Sequence, residues 1–494
     1  MDGLISRRAL FAGAAGGAVA LGAAACGGPN SEIDTSAWDT LRKSVSGRVL
    51  QGGDAAFLPA AIPTAMQHVT TPKAIVVCAN TQDVKLALAF AREHDLPFAV
   101  RCGGHNYAGY STTPGLLIDV GDMRALEMGT GNATVKVGAG MRNVDMTEGL
   151  IPKNVMVAGG RCLSVGISGL TLGGGWGFYA RKYGLVCDNL LETEVVTANG
   201  DVLTCNENRN ADLFWAMRGG GGGNFGINTS FTFKTFETTK PVSVFDVSWY
   251  DADAVAVIDS FQQLAVSAPR EFSAEIVTAP WLPTAIHGRN GIVLRGQGHY
   301  FGSAADLREL LNPVIAHYKP SGLEIRNLDF WTAHQYLTDA TPNNLFSVYS
   351  AYVESKIPAD GLAVMDDWLA RWPGSSSPPD STWGLFVQGG AINDVPVDAT
   401  AYPHRNASMM LKFETAWGDS DPPDLIQQGN EWLDSFYAAM QPHVLNQAYV
   451  SFPNRNQPNW QQAYYGSNLS RLSQVKAKYD PDNVFNYGQS IPLP

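Results

Sequence analysis

Two reactive side chains of this 494-residue chain sit in glycine-dense turns. In Arg101-Cys102-Gly103-Gly104-His105-Asn106-Tyr107-Ala108-Gly109 one imidazole stands at the centre of a turn. Adjacent glycines let the backbone take positive φ and press against a ligand, and the free amides there, with the Arg101 and Asn106 side chains, suit an anionic group such as a pyrophosphate. His105 then stands where a cofactor ring could reach it. By itself a Gly-Gly-His turn is more often a turn with a surface histidine. The second stretch changes that balance: Ala158-Gly-Gly-Arg161-Cys162-Leu-Ser-Val165-Gly166-Ile167-Ser168-Gly169-Leu170-Thr-Leu-Gly-Gly174-Gly-Trp176-Gly177 sets a lone cysteine just before another glycine loop.

The pair resembles the berberine bridge enzyme-like flavoprotein oxidases of the vanillyl-alcohol oxidase or p-cresol methylhydroxylase superfamily. In that family the histidine of R-x-G-G-H and the cysteine of G-x-C-x-x-V-G both bond to one FAD. The resemblance runs over roughly residues 65–491 and includes Arg218 to Ile227, Tyr402-Pro-His-Arg405 and the closing Tyr479-Asp-Pro-Asp-Asn-Val-Phe. It implies that FAD is held covalently by His105 and Cys162. It also implies further contacts from the quoted residues Arg101 to Asn106, Gly109, Arg161, Val165 to Leu170, Gly174, Trp176 and Gly177, and from Ile227. A flavin that loses electron density to two ring substituents is a stronger oxidant, so abstraction of a hydride from an alcohol carbon becomes easier. Val165 falls at the family's oxygen gatekeeper position, which favours an oxidase using dioxygen over a dehydrogenase.

The general base is where the resemblance breaks down. Plant members carry tyrosines at the second aromatic of Y-x-N-Y and in G-G-G-Y-G; the matching residues here are Phe452 and Trp176, and neither accepts a proton. The alternating positions Met409, Leu411 and Phe413 after His404 are apolar as well. Tyr107 and, second, Tyr449 are the expected catalytic residues, unless the base comes from elsewhere in the substrate domain or the substrate is itself acidic. Two classes of function follow: an exported oxidase acting on a sugar or an aromatic natural product, or an exported flavin-carrying binding or redox protein with little turnover.

The elements that must position the two turns are legible in outline. Lys73 to Cys78 reads as a buried strand, Thr81 as the cap of a helix with Val84, Leu88 and Ala91 on its apolar face, and Pro97 as the opening of a strand that delivers the His105 turn. Gly115 to Val120 and Ala133 to Val137 read as strands, Asn143 to Gly149 as a helix. Asn199-Gly200 joins two strands as a hairpin. Gly221, Gly223 and Gly226 spell G-x-G-x-x-G, but they follow a helix and precede a strand, the reverse of a dinucleotide-binding turn. Beyond about Thr238 tryptophans and tyrosines become frequent, at Trp249, Trp281, Tyr300, Trp331, Tyr349, Tyr352, Trp383 and Trp417. They lie among alternating runs at 292–300, 345–353, 384–391 and 408–413 that predict antiparallel strands facing a pocket. As a group these aromatics suit a bulky or sugar-like ligand. The expected fold is α+β, a two-domain FAD-binding fold of the p-cresol methylhydroxylase type with an inserted substrate domain on an antiparallel sheet. The expected segments are 1–25 signal peptide, 26–64 linker, 65–240 FAD-binding domain, 241–448 substrate domain and 449–494 return to the FAD-binding domain.

Composition narrows the partners. With 34 basic and 46 acidic residues the formal charge is −12, which argues against nucleic acid and anionic membrane surfaces. Six cysteines without C-x-x-C spacing argue against a metal site and leave room for one bridge among Cys78, Cys102, Cys187 and Cys205. Arg7-Arg8, the Ala/Gly-rich run and the Ala23 to Cys26 break form a twin-arginine export signal. Cleavage after Ala25 would serve an ordinary signal peptidase or a lipoprotein peptidase; Cys26 at the break favours the second, which would make a lipid on Cys26 the one membrane link.

Overall fold

The computed structural model describes residues 33–250, 253–280, 292–339, 343–377 and 382–494; the expected export signal, Cys26 and Trp281 lie outside the described residues. The first sheet orders its strands Arg48–Leu50, Ala74–Val77, Leu116–Asp119, Phe98–Arg101. The last three run parallel, and Ala74–Val77 is buried at every position, as a strand covered on both faces must be. The helix Thr81–Glu93 makes the crossover and buries Val84, Leu88 and Ala91. Its cap is Asn80, one residue before the expected Thr81: the extended backbone of Asn80 lets its side chain accept the Asp83 amide at 3.0 Å. Thr81 instead donates to Glu194 at 2.7 Å.

The second sheet is antiparallel, ordered Leu126–Met128, Thr134–Gly138, Ile227–Lys234, Leu190–Val196, Val202–Asn206. Its hairpin closes at Asn199-Gly200, where Gly200 has φ 80°, a conformation the turn requires and glycine adopts without strain.

The third sheet has seven antiparallel strands: Gly322–Leu328, Val242–Trp249, Ile292–Tyr300, Phe272–Pro280, Trp383–Val387, Met409–Trp417, Leu345–Val353. One face packs Phe245, Ile276, Leu385, Leu411 and Phe413 against Phe261, Leu311, Met365 and Phe436 of the helices Ala254–Ser267, Ala304–Ile315, Ala359–Leu369 and Pro423–Met440. The strand expected over 384–391 ends at Val387, because Gly389 takes φ 87° and a 3₁₀ turn begins at Gly390. At the end of the chain, Lys476 and Asp480, both fully buried, pair at 2.6 Å. Lys476 also donates to the carbonyls of Asn224 at 2.8 Å and Phe485 at 2.6 Å, which fastens the closing segment onto the 219–226 glycine run.

Candidate active site

A cavity of about 950 Å³ runs between the glycine turns of the first half and the free face of the seven-stranded sheet. Its size lies at the upper end of ordinary small-molecule sites. The two reactive turns meet backbone to backbone along one wall. A Cβ on Gly103 would stand 2.5 Å from the Gly166 nitrogen, and one on Gly166 would stand 2.2 Å from Cys102 Sγ, so only glycines allow this approach. His105 and Cys162 both line the cavity. His105 Nε2 is 2.9 Å from Ser164 Oγ, which leaves Nδ1 for a ligand. Burial, with Arg142 nearby, holds the imidazole down at about 4, so it is neutral and carries a free lone pair at ordinary pH.

Most residues expected to hold a cofactor do line this cavity, Trp176 of the second turn and Ile227 beyond the 219–226 run among them. Five do not. Arg101 is buried with its guanidinium on the carbonyls of Ala60 (2.5 Å), Ala61 (3.0 Å) and Ser111 (3.0 Å), so it staples the turn from behind instead of meeting an anion. Gly109 packs on His68, Ile167 is core, Gly174 lies under the Tyr402 ring, and Gly177 abuts the Gly159 carbonyl. Asn106 lines the cavity, but its Oδ1 accepts the amides of Ala108 (3.1 Å) and Tyr110 (3.0 Å), a local turn and not a phosphate contact. The five described cysteines are all free, so the bridge that composition left open does not form. Among the described residues no cluster could hold a metal ion.

The two tyrosines part company. Tyr107 lines the cavity with its ring stacked on Phe452 (5.4 Å) and edge-on to Phe346 (4.8 Å). Burial, then the neighbouring Cys162 and Glu414, push its phenol far up, which keeps it protonated. Tyr449 lines the same cavity but is almost wholly buried, its oxygen accepting the Gly175 and Trp176 amides at 3.0 and 3.3 Å. Its hydroxyl is thereby committed to holding the Trp176 loop.

The largest departure from expectation is the sheet floor. Met409, Leu411 and Phe413 face the helical core, and the cavity receives the other parity of the same strand: Met410, Lys412 and Glu414. Side chains alternate across a strand, so reading the wrong phase hides the polar set completely. Lys412 and Glu414 pair at 2.5 Å, each about 15 % and 14 % exposed. Alongside them, Arg161 bridges Glu275, 2 % exposed, and Asp339 at 2.7 Å. Gln297 donates to Glu275 at 2.5 Å, and Arg295 pairs with Asp246 at 2.5 Å nearer the rim. The signal that could have found Lys412 and Glu414 is two charges spaced by two in an otherwise apolar strand.

The fold and the site together define a flavoenzyme. Residues 72–206 match the model for an FAD binding domain, and residues 448–492 the model described as "Berberine and berberine like". The uncharacterized FAD-linked oxidoreductase YvdP of Bacillus subtilis is 31% identical over 458 residues, covering 91% of this chain and 98% of YvdP. BBE-like 1 of Physcomitrella patens superposes with a TM-score of 0.82 at 30% identity, over 93% of this chain and 100% of that one. A glucooligosaccharide oxidase of Sarocladium strictum is 28% identical over 446 residues, 85% of this chain and 87% of that protein. The glucooligosaccharide oxidase structure from Acremonium strictum, described as carrying 6-S-cysteinyl, 8α-N1-histidyl FAD, shares the fold with a TM-score of 0.80 at 23% identity over 93% and 99% of the two chains. The chain belongs to the berberine bridge enzyme-like FAD-linked oxidoreductases. The residues of the site fit that cofactor: a cavity of sufficient size, the backbone amides of Gly103, Gly104 and Gly221 to Gly223, and a neutral histidine and a free thiol on one wall.

Proposed function

We propose that this protein is an exported oxidase whose FAD is bonded to both His105 and Cys162 and which oxidises a hydroxyl-bearing small molecule, a sugar or an aromatic alcohol. His105 and Cys162 would hold the flavin, which when bound would supply hydride acceptance from the substrate carbon and reoxidation by dioxygen to hydrogen peroxide. The observation that carries this reading is that one cavity gathers His105, Cys162, Tyr107 and the Lys412–Glu414 pair. A carbinol that loses hydride builds positive character at carbon, so its hydroxyl proton must find an acceptor. Glu414 is that acceptor: it is a carboxylate on the cavity wall that helps push the Tyr107 phenol up, and it is oriented by Lys412. Tyr107, kept protonated, donates a hydrogen bond and positions the substrate oxygen. The reading as a redox-storage protein drew its support from Phe452 and Trp176 in place of tyrosines, and Glu414 removes that support.

The glucooligosaccharide oxidases among the relatives and solved structures favour a sugar, and the sheet floor suits a neutral polyol, since its described charges, Lys412 with Glu414, Arg161 with Glu275 and Asp339, and Arg295 with Asp246, already pair with one another. An anaerobic screen of sugars, alcohols and phenols, watched for bleaching of the bound flavin, tests turnover; no bleaching by any hydroxyl-bearing compound would sink it. Acid-precipitated protein should stay yellow, and Cys162→Ala should leave the colour attached through His105 alone. Colour fully released from the unmodified protein would refute covalent attachment. Export is tested by replacing Arg7 and Arg8 with lysine, which should trap the holoprotein in the cytoplasm; unchanged delivery to the envelope would mean that the signal is misread.

A further inference from the structure

The loop that carries Cys162 has little structure of its own, yet its cysteine must meet one carbon of a bound ring. Part of what fixes it lies on the other half of the molecule. Cys162 forms an isolated bridge with Asp339: the Leu163 amide donates to the Asp339 carbonyl at 3.0 Å, and the Asp339 amide to the Arg161 carbonyl at 3.3 Å. Asn143 Nδ2 donates to the Cys162 carbonyl at 2.9 Å. The Arg161 guanidinium, 22 % exposed, pairs with Glu275 of the strand Phe272–Pro280 and with Asp339, and lies 6.0 and 5.8 Å from the Phe178 and Phe386 ring centres. Gln297, on the adjacent strand, holds the same Glu275 oxygen.

A buried ion pair is poor value as mere stability, because an apolar set of similar volume is often equal or better. Its worth must come from what it positions. We propose that the Arg161–Glu275–Asp339 cluster is a positioning device that clamps the Cys162 loop onto the substrate sheet and aims the sulfur for its bond to the flavin, with Arg161 as the positioning residue. The inference rests on the reading that Cys162 bonds to the cofactor. In that reaction the S–H proton and one ring hydrogen leave, a carbon–sulfur bond forms, and the two electrons pass through the ring system to dioxygen, which becomes hydrogen peroxide.

Replacing His105 with alanine makes covalent attachment depend on Cys162 alone, so the colour of an acid pellet and the mass of the Cys162 peptide read that bond directly. His105→Ala should keep its flavin in acid. Adding Arg161→Met, Glu275→Gln or Asp339→Asn should lower the attached fraction, by ~10-fold or more for Arg161→Met, since misplacing a reacting group by about 1 Å can cost ~10²-fold in rate. Acid-releasable FAD should rise in step, which shows that the cofactor site still forms, and Arg161→Lys should restore part of the loss. If His105→Ala alone releases all its flavin, the cysteine bond itself is refuted, and the clamp with it. If His105→Ala holds its flavin and the charge-removing variants hold it equally, only the clamp is overturned. Should Arg161→Met fail to accumulate, Glu275→Gln and Asp339→Asn, which keep shape and remove charge, decide the matter in the same way.

Discussion

At the cofactor end of the cavity a ligand meets backbone, the amides of Gly103, Gly104 and Gly221 to Gly223 with two reactive side chains set among them. At the substrate end it meets the side chains of a sheet, with Lys412 beside Glu414, Arg161 beside Glu275, and Arg295 beside Asp246. Backbone binding suits a group whose shape never changes, because it depends on close approach and on residues that have no side chain. Paired side chains suit a ligand that must be discriminated and deprotonated, because each can be exchanged without disturbing the strand that bears it. A substitution should therefore act on chemistry at one end and on assembly at the other.

The sharpest test of that division is Glu414→Gln. It should slow flavin reduction by ~10²- to 10⁴-fold while the flavin spectrum and FAD content stay unchanged, since general-base help is worth about that much. Wild-type reduction by Glu414→Gln in stopped flow would return the role of base to Tyr107. At the opposite end, Gly166→Ala should do the reverse. Its Cβ would press on Cys102 Sγ at 2.2 Å and on the Gly103 nitrogen at 2.6 Å, and relief of such overpacking typically costs ~1–3 kcal/mol. The outcome expected is lower FAD content and a lower melting temperature; full loading would show that the two turns can part.

Acid should weaken the sheet half through His299 and His404. Burial, together with nearby cationic side chains, holds them at about 3 and about 4, below the ordinary 6.5. The unfolded chain therefore takes up these protons first. Their contribution to stability is complete above about pH 6.5 and is lost as pH falls toward 4, with a slope of up to about 1.4 kcal/mol per pH unit for each histidine. Urea midpoints measured from pH 7 to 5 should decline, and replacing His404 with glutamine should flatten the decline.

Tyr449→Phe leaves the buried Gly175 and Trp176 amides without their acceptor, a cost of roughly 1–3 kcal/mol seen in melting, with the rate of flavin reduction little changed. A hundredfold slower reduction would make Tyr449 catalytic after all. The smallest effect is expected at the rim. Arg295→Gln breaks a pair whose arginine is 54 % exposed, and exposed pairs are worth about 0–1 kcal/mol, so at most a few-fold change in KM with kcat unaltered is expected.

The sequence by itself determines whatever depends on residue type at a fixed local spacing. The crossover from Ala74 to Arg101, the Asn199-Gly200 hairpin and the two turns bearing His105 and Cys162 belong here, because glycine, histidine and cysteine in those patterns restrict what the backbone and the chemistry can be. Arg101 shows the limit: its type suits an anion, yet the carbonyls of Ala60 and Ala61, some forty positions away, take its donors first. Strand phase shows it again, since a run such as Met409 to Trp417 has two faces, and only packing against the helix Pro423–Met440 decides that Leu411 and Phe413 turn inward and Lys412 and Glu414 toward the cavity. The partnership of Arg161 with Glu275 and Asp339 was equally beyond reach, because ion pairs between distant segments have no local signature and exist only where the fold brings one strand and two loops to one place.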